Sequence, residues 1–134
     1  MLAPLAQAGY AFERLVVPAV RDFKPDLIIV GSGLDANIID PLSRLLLHSD
    51  SYRELATMMM TLAGEVCGGR LAMIQEAYVP FCGLAIMETL AAHRTKVADP
   101  ALEIFQGWQP SERFDAYARG VIDDYASSLA HSAV

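Results

Sequence analysis

The sequence predicts an α/β fold in which a parallel sheet of a few strands is covered by helices. Three observations carry this. Apolar residues recur at helical spacing in several stretches, the pattern that gives a helix one apolar face. Between those stretches lie two short apolar runs bounded by turn residues. The stronger, Asp26–Val30 (DLIIV), is rich in β-branched residues and fits a strand buried on both faces. Helix, strand, helix, strand, helix is the order of an α/β layer with parallel strands. Two or three strands are few for a sheet that must be covered on both sides, so the element count describes an incomplete sheet.

The first helix is expected from Tyr10 to Lys24, where Phe12, Leu15, Val16, Ala19, Val20 and Phe23 share a stripe. Pro18 lies off that stripe and kinks the helix or shifts its start, and Pro25 ends it. Gly31, Ser32 and Gly33 close the first strand. Ser49 and Asp50 offer caps for a second helix, and Ser51 with Glu54 fits a capping box. That helix should reach about Val66 and stop at Gly68 and Gly69. Arg70–Gln75 (RLAMIQ) reads as a second strand, and Pro80 opens a helix to about Arg94. Residues Val97 to Pro110 read as loop, with one short strand at Leu102–Phe105. Phe114, Tyr117, Ala118, Val121, Ile122, Tyr125 and Leu129 make a final amphipathic helix.

Composition narrows the function. In 134 residues, 54% hydrophobic and 19% charged, core material is plentiful for one domain or a piece of one. A net charge of −6 with no basic cluster argues against nucleic acid as a partner, since such binding neutralises phosphates with Lys and Arg. No uncharged run reaches the roughly 18 residues a membrane span needs, and MLAPLAQAGYAF lacks the basic start of a signal peptide. A cytoplasmic protein is expected. Cys67 and Cys82 sit in apolar segments without metal-type spacing and read as reduced core thiols.

Ligands of open α/β sheets bind beyond the carboxyl ends of the strands. Two segments qualify. Gly31–Pro41 (GSGLDANIIDP) follows the stronger strand, with Asp35 just past its end. The plain reading is that Asp35 caps a turn and Asp40 precedes proline in an ordinary bend. The lone G-S-G lacks the continuation of a phosphate cradle. Gln75–Cys82 (QEAYVPFC) follows the second strand, with Glu76 and Tyr78 as candidate acid, base or hydrogen-bond donor. A solvated Glu and a half-buried Tyr are the plain alternative. His48, His93 and His131 show no metal-binding spacing, and Met58, Met59 and Met60 read as helix packing rather than ligands.

The stretch Phe12–Arg53 (FERLVVPAVRDFKPDLIIVGSGLDANIIDPLSRLLLHSDSYR) closely resembles the C-terminal third of the histone deacetylase family. It is most similar to the bacterial class II type, the histone deacetylase-like amidohydrolases and acetylpolyamine amidohydrolases. Ala77–Thr95 (AYVPFCGLAIMETLAAHRT) continues the likeness, which covers roughly residues 9 to 96 and is most specific at S-G-x-D-A…D-P-L. The resemblance implies an arginase/deacetylase-like fold, here partial. Residues 1–96 would be the C-terminal portion of the domain, and 97–134 a loop and amphipathic helix of the same domain. It further implies a Zn²⁺ ion at the strand ends, activating a water that attacks an acetyl-lysine, acetylpolyamine or other N-acetyl amide. On this likeness Asp35 matches the last of three zinc ligands.

The departures matter as much. The family's upstream D-x-H element and histidine pair have no counterpart here. The chain alone is therefore expected to bind zinc weakly and to lack activity. The family's E-G-G-Y, whose tyrosine polarises the scissile carbonyl, is replaced by Gln75–Tyr78 (QEAY). An ungapped register gives Tyr78 that catalytic place. A deletion of about five residues after Glu76 matches Tyr78 to a later tyrosine before V-P-F-C-G, and that continuation favours the deletion. A non-catalytic remnant or interaction module is the alternative function. It would self-associate, or dock on a partner chain that supplies the missing sheet.

Overall fold

The computed structural model describes residues 3–43, 45–77, 79–92, 99 and 111–132. The chain divides into two compact units, residues 1–23 with 108–134, and residues 24–107. In the first unit, α1 (Ala3–Ala11) runs through one π-helical turn, Phe12–Val16, into α2 (Val17–Phe23). The helix thus begins seven residues before the expected Tyr10, in a segment whose alanines favour it. Pro18 is accommodated by the π-turn rather than by a new start. Proline has no N–H to give the carbonyl four residues back, and the wider turn lets the Val17 N–H reach Phe12 O instead. Lys24, at φ +52°, ends the helix ahead of Pro25.

The unit's second helix, α5 (Glu112–Ser132), packs on α1 and the π-turn. Tyr10 donates its hydroxyl to both Asp123 carboxylate oxygens at 2.9 Å, and Arg14 Nε donates to Oδ1 at 2.8 Å. Arg119 lies over the Tyr10 ring, 4.5 Å from its centre.

In the second unit, β1 (Ile28–Gly33) and β2 (Leu71–Glu76) form a parallel two-stranded sheet, Ile28 opposite Leu71 and Gly33 opposite Glu76. The strand does not stop at Gly31; all of Gly31–Gly33 pairs with β2. Between the strands runs α3 (Ser49–Cys67), which packs on β2 and on α4 (Pro80–Leu90). Gly68 and Gly69, at φ +61° and +80°, stop α3 as expected, with the Gly69 N–H on Ala63 O at 2.9 Å.

The other end of α3 departs from expectation. Its cap is His48, whose N–H donates to Ser51 Oγ at 3.2 Å. The Ser49 N–H is taken by Asp99 Oδ2 at 2.6 Å. A carboxylate fifty residues away can cap a helix as well as an adjacent serine, and a local pattern does not reveal it.

The sheet also departs from expectation. Ile28 is 8% exposed but Ile29 is 60% exposed. Only one face of β1 is buried, because the described helices of this unit leave the other bare. The core lies on the covered side, where Leu34, Ala56, Leu62, Ala63, Cys82 and Ala85 are buried. Cys67 and Cys82 are buried free thiols, and of Met58, Met59 and Met60 only Met59 is buried. Among the described residues no helix is long and apolar enough to cross a membrane. Helix α4 ends at Leu90, four residues short of the expected Arg94, as the chain turns through Ala91 and Ala92, the latter at φ +51°; His93 and the strand expected at Leu102–Phe105 lie outside the described residues.

Candidate functional site

The carboxyl ends of β1 and β2 meet at Gly33 and Glu76. The chain then turns through a single 3-10 turn, Leu34–Ala36, which sets Asp35 two residues beyond the strand. Leu34 is fully buried and anchors that turn, whereas the Asp35 side chain is exposed. A Cβ built on Gly33 would lie 2.8 Å from Asp35 Oδ1 and 3.7 Å from Glu76 Oε2. Two carboxylates therefore converge on the one position where the backbone carries no side chain. Glycine is needed there for space rather than for a rare backbone angle, as φ is −72° and ψ 118°.

The turn is held from three sides. Tyr52, from the first turn of α3, donates its hydroxyl to Gly33 O at 3.0 Å. Burial, reinforced by the nearby Cys82 and Asp35, raises the Tyr52 pKa well above its usual value, so it stays a neutral donor. Asn37 is fully buried: its Oδ1 accepts from Ile39 N–H at 3.0 Å, and its Nδ2 lies 3.1 Å from Cys82 Sγ on α4. Burial pushes the Cys82 thiol up to about 12, which makes it a packing group rather than a nucleophile. The loop then returns through Ile38 N–H to Leu47 O at 3.0 Å and Leu47 N–H to Ala36 O at 3.2 Å. Asp40 has the plain role foreseen for it, accepting Leu42 N–H at 2.8 Å in a turn before α3.

His48, which stands just before the caps expected at Ser49 and Asp50, is itself the cap and is buried, 2% exposed. Its two ring nitrogens find no hydrogen-bond partner among the described residues. Burial lowers its pKa, opposed in part by Asp50 and Asp99. His131 lies on exposed α5, with Nδ1 2.6 Å from Ser127 O. Tyr78 lies outside the described residues; before it, Ala77 sits at φ +65°, a left-handed conformation in which a β-carbon is strained. The sequence reading missed Tyr52, Asn37 and Asp99 as supports of the site. Only the S-G-x-D-A…D-P-L spacing hinted that the loop is a built structure.

Comparison with known proteins shows the family. The histone deacetylase domain family matches residues 5–77. The histone deacetylase-like amidohydrolase of Pseudomonas aeruginosa is 43% identical over 124 residues, 89% of this chain and 33% of that protein. Histone deacetylase 8 of Arabidopsis thaliana is 35% identical over 114 residues, 81% of this chain and 29% of that protein. In fold, the histone deacetylase Clr3 superposes at a TM-score of 0.65 and 20% identity, over 92% of this chain and 20% of that one. The HD domain of HDA15 does so at 0.58 and 22%, over 93% of this chain and 35% of that one. The chain spans about a third of the length of these two curated relatives. With a partial α/β deacetylase fold and the family's match over more than half its residues, the chain belongs to the histone deacetylase family.

Proposed function

We propose that this chain is the Asp35-bearing portion of a cytoplasmic, zinc-dependent deacetylase that hydrolyses an N-acetyl amide, of acetyl-lysine or acetylpolyamine type, and that it is inactive by itself. One observation carries the reading: Asp35 stands beyond the carboxyl end of β1, beside Glu76, in the loop that bears the family's S-G-x-D-A spacing. A catalytic zinc takes three protein ligands and keeps one position open. Among the described residues no three His, Cys, Asp or Glu side chains gather to hold a metal. The described residues therefore do not by themselves supply three ligands, and no catalytic step is assigned to the ion. Asp35 contributes one carboxylate to a site that another segment or another chain completes. Tyr78 is the catalytic candidate in the ungapped register, while the V-P-F-C-G continuation favours the register that aligns it past the family's catalytic tyrosine.

The test measures zinc content and acetyl-lysine reporter hydrolysis. The chain is assayed alone and mixed with the upstream two-thirds of the Pseudomonas aeruginosa amidohydrolase. The chain alone should bind little zinc and turn over nothing. The mixture should hold zinc that Asp35→Ala removes. Turnover by the chain alone that Asp35→Ala abolishes would overturn the inactivity, and zinc binding indifferent to Asp35 would overturn the ligand assignment. The second reading, a non-catalytic module that docks on another chain, is favoured by one feature, the bare apolar face of the sheet at Ile29 and Ile74. It requires assembly that is independent of Asp35 and of zinc.

A further inference from the structure

We propose that Tyr52 is the positioning residue for Asp35: its hydroxyl closes the turn that carries the carboxylate and so fixes where the carboxylate stands. The consequence for a metal rests on the reading of Asp35 as a ligand, but the clamp is a property of this chain alone. The Tyr52 hydroxyl donates to Gly33 O at 3.0 Å and is also hydrogen-bonded to the backbone of Ala36. A phenol can do both, since its oxygen accepts while its proton is donated. Gly33 and Ala36 lie on either side of Leu34 and Asp35 in the 3-10 turn. The carbonyl ahead of such a turn and the amide three residues on are the groups that close it, with poorer hydrogen-bond geometry than an α-helix offers. One side chain from α3 thus engages the turn at its point of closure.

The clamp is rigidly mounted. Tyr52 is 5% exposed, and the helix turn that bears it is tied on every side. Ser51 Oγ accepts the His48 N–H, Asp99 takes the Ser49 N–H, and the neighbouring Arg53 reaches the buried Glu88 of α4 at 2.9 Å. Asp35, by contrast, has an exposed side chain that takes no part in these bonds, so its place follows from the backbone beneath it. The other supports act differently. Leu34 anchors the turn by burial, which holds it down without fixing the direction of a peptide group. Asn37 bonds Ile39 N–H and Cys82, beyond the turn rather than within it. The hydroxyl is therefore the directional contact that sets the turn bearing Asp35. A functional carboxylate must be held to within about 0.5 Å, which a locked neighbour supplies and an exposed side chain does not.

The experiment removes the hydroxyl and keeps the ring, in the whole chain. Tyr52→Phe should speed amide hydrogen exchange at Leu34, Asp35 and Ala36 by about tenfold or more, and leave Met59 and Leu62, in the middle of α3, within about twofold. Leu62→Val, a core change on the same helix away from the turn, should do the reverse. In the mixture with the upstream two-thirds of the Pseudomonas aeruginosa amidohydrolase, Tyr52→Phe should weaken zinc affinity by about tenfold while the number of sites at saturation stays the same. A change that acted only through stability would cost sites and leave affinity alone. Turn exchange indifferent to Tyr52→Phe overturns the proposal, and so does equal acceleration along all of α3, which would mean general loosening. Zinc that needs Asp35 but ignores Tyr52→Phe overturns it too. If exchange responds while zinc ignores both Tyr52→Phe and Asp35→Ala, the clamp stands and the ligand reading of Asp35 falls. If Tyr52→Phe does not fold, the parent chain decides. Its Tyr52 hydroxyl proton, held against Gly33 O, should exchange slowly enough to give a resonance of its own, with an Overhauser contact to the Ala36 N–H. Absence of that contact overturns the clamp.

Discussion

Gly33 is where one atom decides the geometry of the site. An added Cβ would meet Asp35 Oδ1 at 2.8 Å, while the backbone angles there suit alanine as well as glycine. Gly33→Ala should therefore spare the fold and displace the carboxylate. Urea unfolding should shift by less than about 1 kcal/mol, and zinc binding by the completed assembly should weaken about tenfold, a loss of about 1.4 kcal/mol. Equal zinc binding would mean that Asp35 is not a ligand in the position seen here. His48 allows a second test. Its folded pKa is lowered from 6.5, chiefly by burial. The unfolded chain then takes up a proton at a pH where the folded chain resists one. That part of the stability is whole above 6.5 and declines as pH falls through 6.5 toward the lowered native value. Urea midpoints at about pH 7.5 and 5.5 should differ accordingly, and His48→Gln should reduce the difference. An unchanged pH dependence in that variant would show that His48 is not the group responsible. Asp35 was singled out in the sequence by the resemblance to the histone deacetylase family, since its spacing alone reads as an ordinary turn residue. His48 was not, because a lone histidine before a helix carries no sign of whether it will be buried.

At the scale of elements, α3 and α4 are joined by more than apolar contact. Arg53 Nη1 lies 2.9 Å from Glu88 Oε2, with Glu88 buried and Arg53 nearly so, and Arg53 Nε lies 3.5 Å from Asp50 Oδ1. Removing one member of a buried pair strands the other charge, at a cost of about 3 kcal/mol, whereas replacing both with apolar groups is often neutral. Glu88→Ala should lower the urea midpoint accordingly, and Arg53→Met with Glu88→Leu should recover most of it. If both variants lose the same stability, the pair contributes through its charges rather than through avoided burial. Neither residue was singled out by sequence reading, since their contact spans thirty-five positions. The elements themselves were legible. Helices α3, α4 and α5 and both strands stand within a few residues of where periodicity and breakers put them. What failed was mostly non-local: the cap supplied by Asp99, and which side of each apolar stripe would find a neighbour; the π-turn at Phe12–Val16 is a local feature that periodicity does not distinguish from an α-helical turn. Phe114 and Val121 belong to the apolar stripe expected for the final helix, and they lie on the exposed side of α5.

For the whole molecule, the feature that matters most is apolar surface without a cover. Leu27, Ile29 and Ile74 are at least half exposed on or beside the sheet. With two described strands, each also has an edge on which no other described strand pairs. Hydropathy foretold this in outline, since a mean of +0.32 over 134 residues exceeds what so small a sheet can bury. It could not say which face would be bare, because DLIIV fits a strand buried on both sides equally well. Side chains that are exposed contribute little to folding. Ile29→Lys with Ile74→Lys should therefore leave the unfolding free energy within about 0.5 kcal/mol of the parent. Fluorescence of a dye that reports exposed apolar surface should meanwhile fall by about half or more. Two lysines facing an apolar partner would be left desolvated and unpaired, which costs several kcal/mol. The same variant should then fail to assemble with the upstream portion of the amidohydrolase, and zinc capture by the mixture should be lost although Asp35 is intact. Unchanged dye binding would show that this face is already covered. Unimpaired assembly would show that the upstream portion docks elsewhere, and that the open sheet serves some other contact.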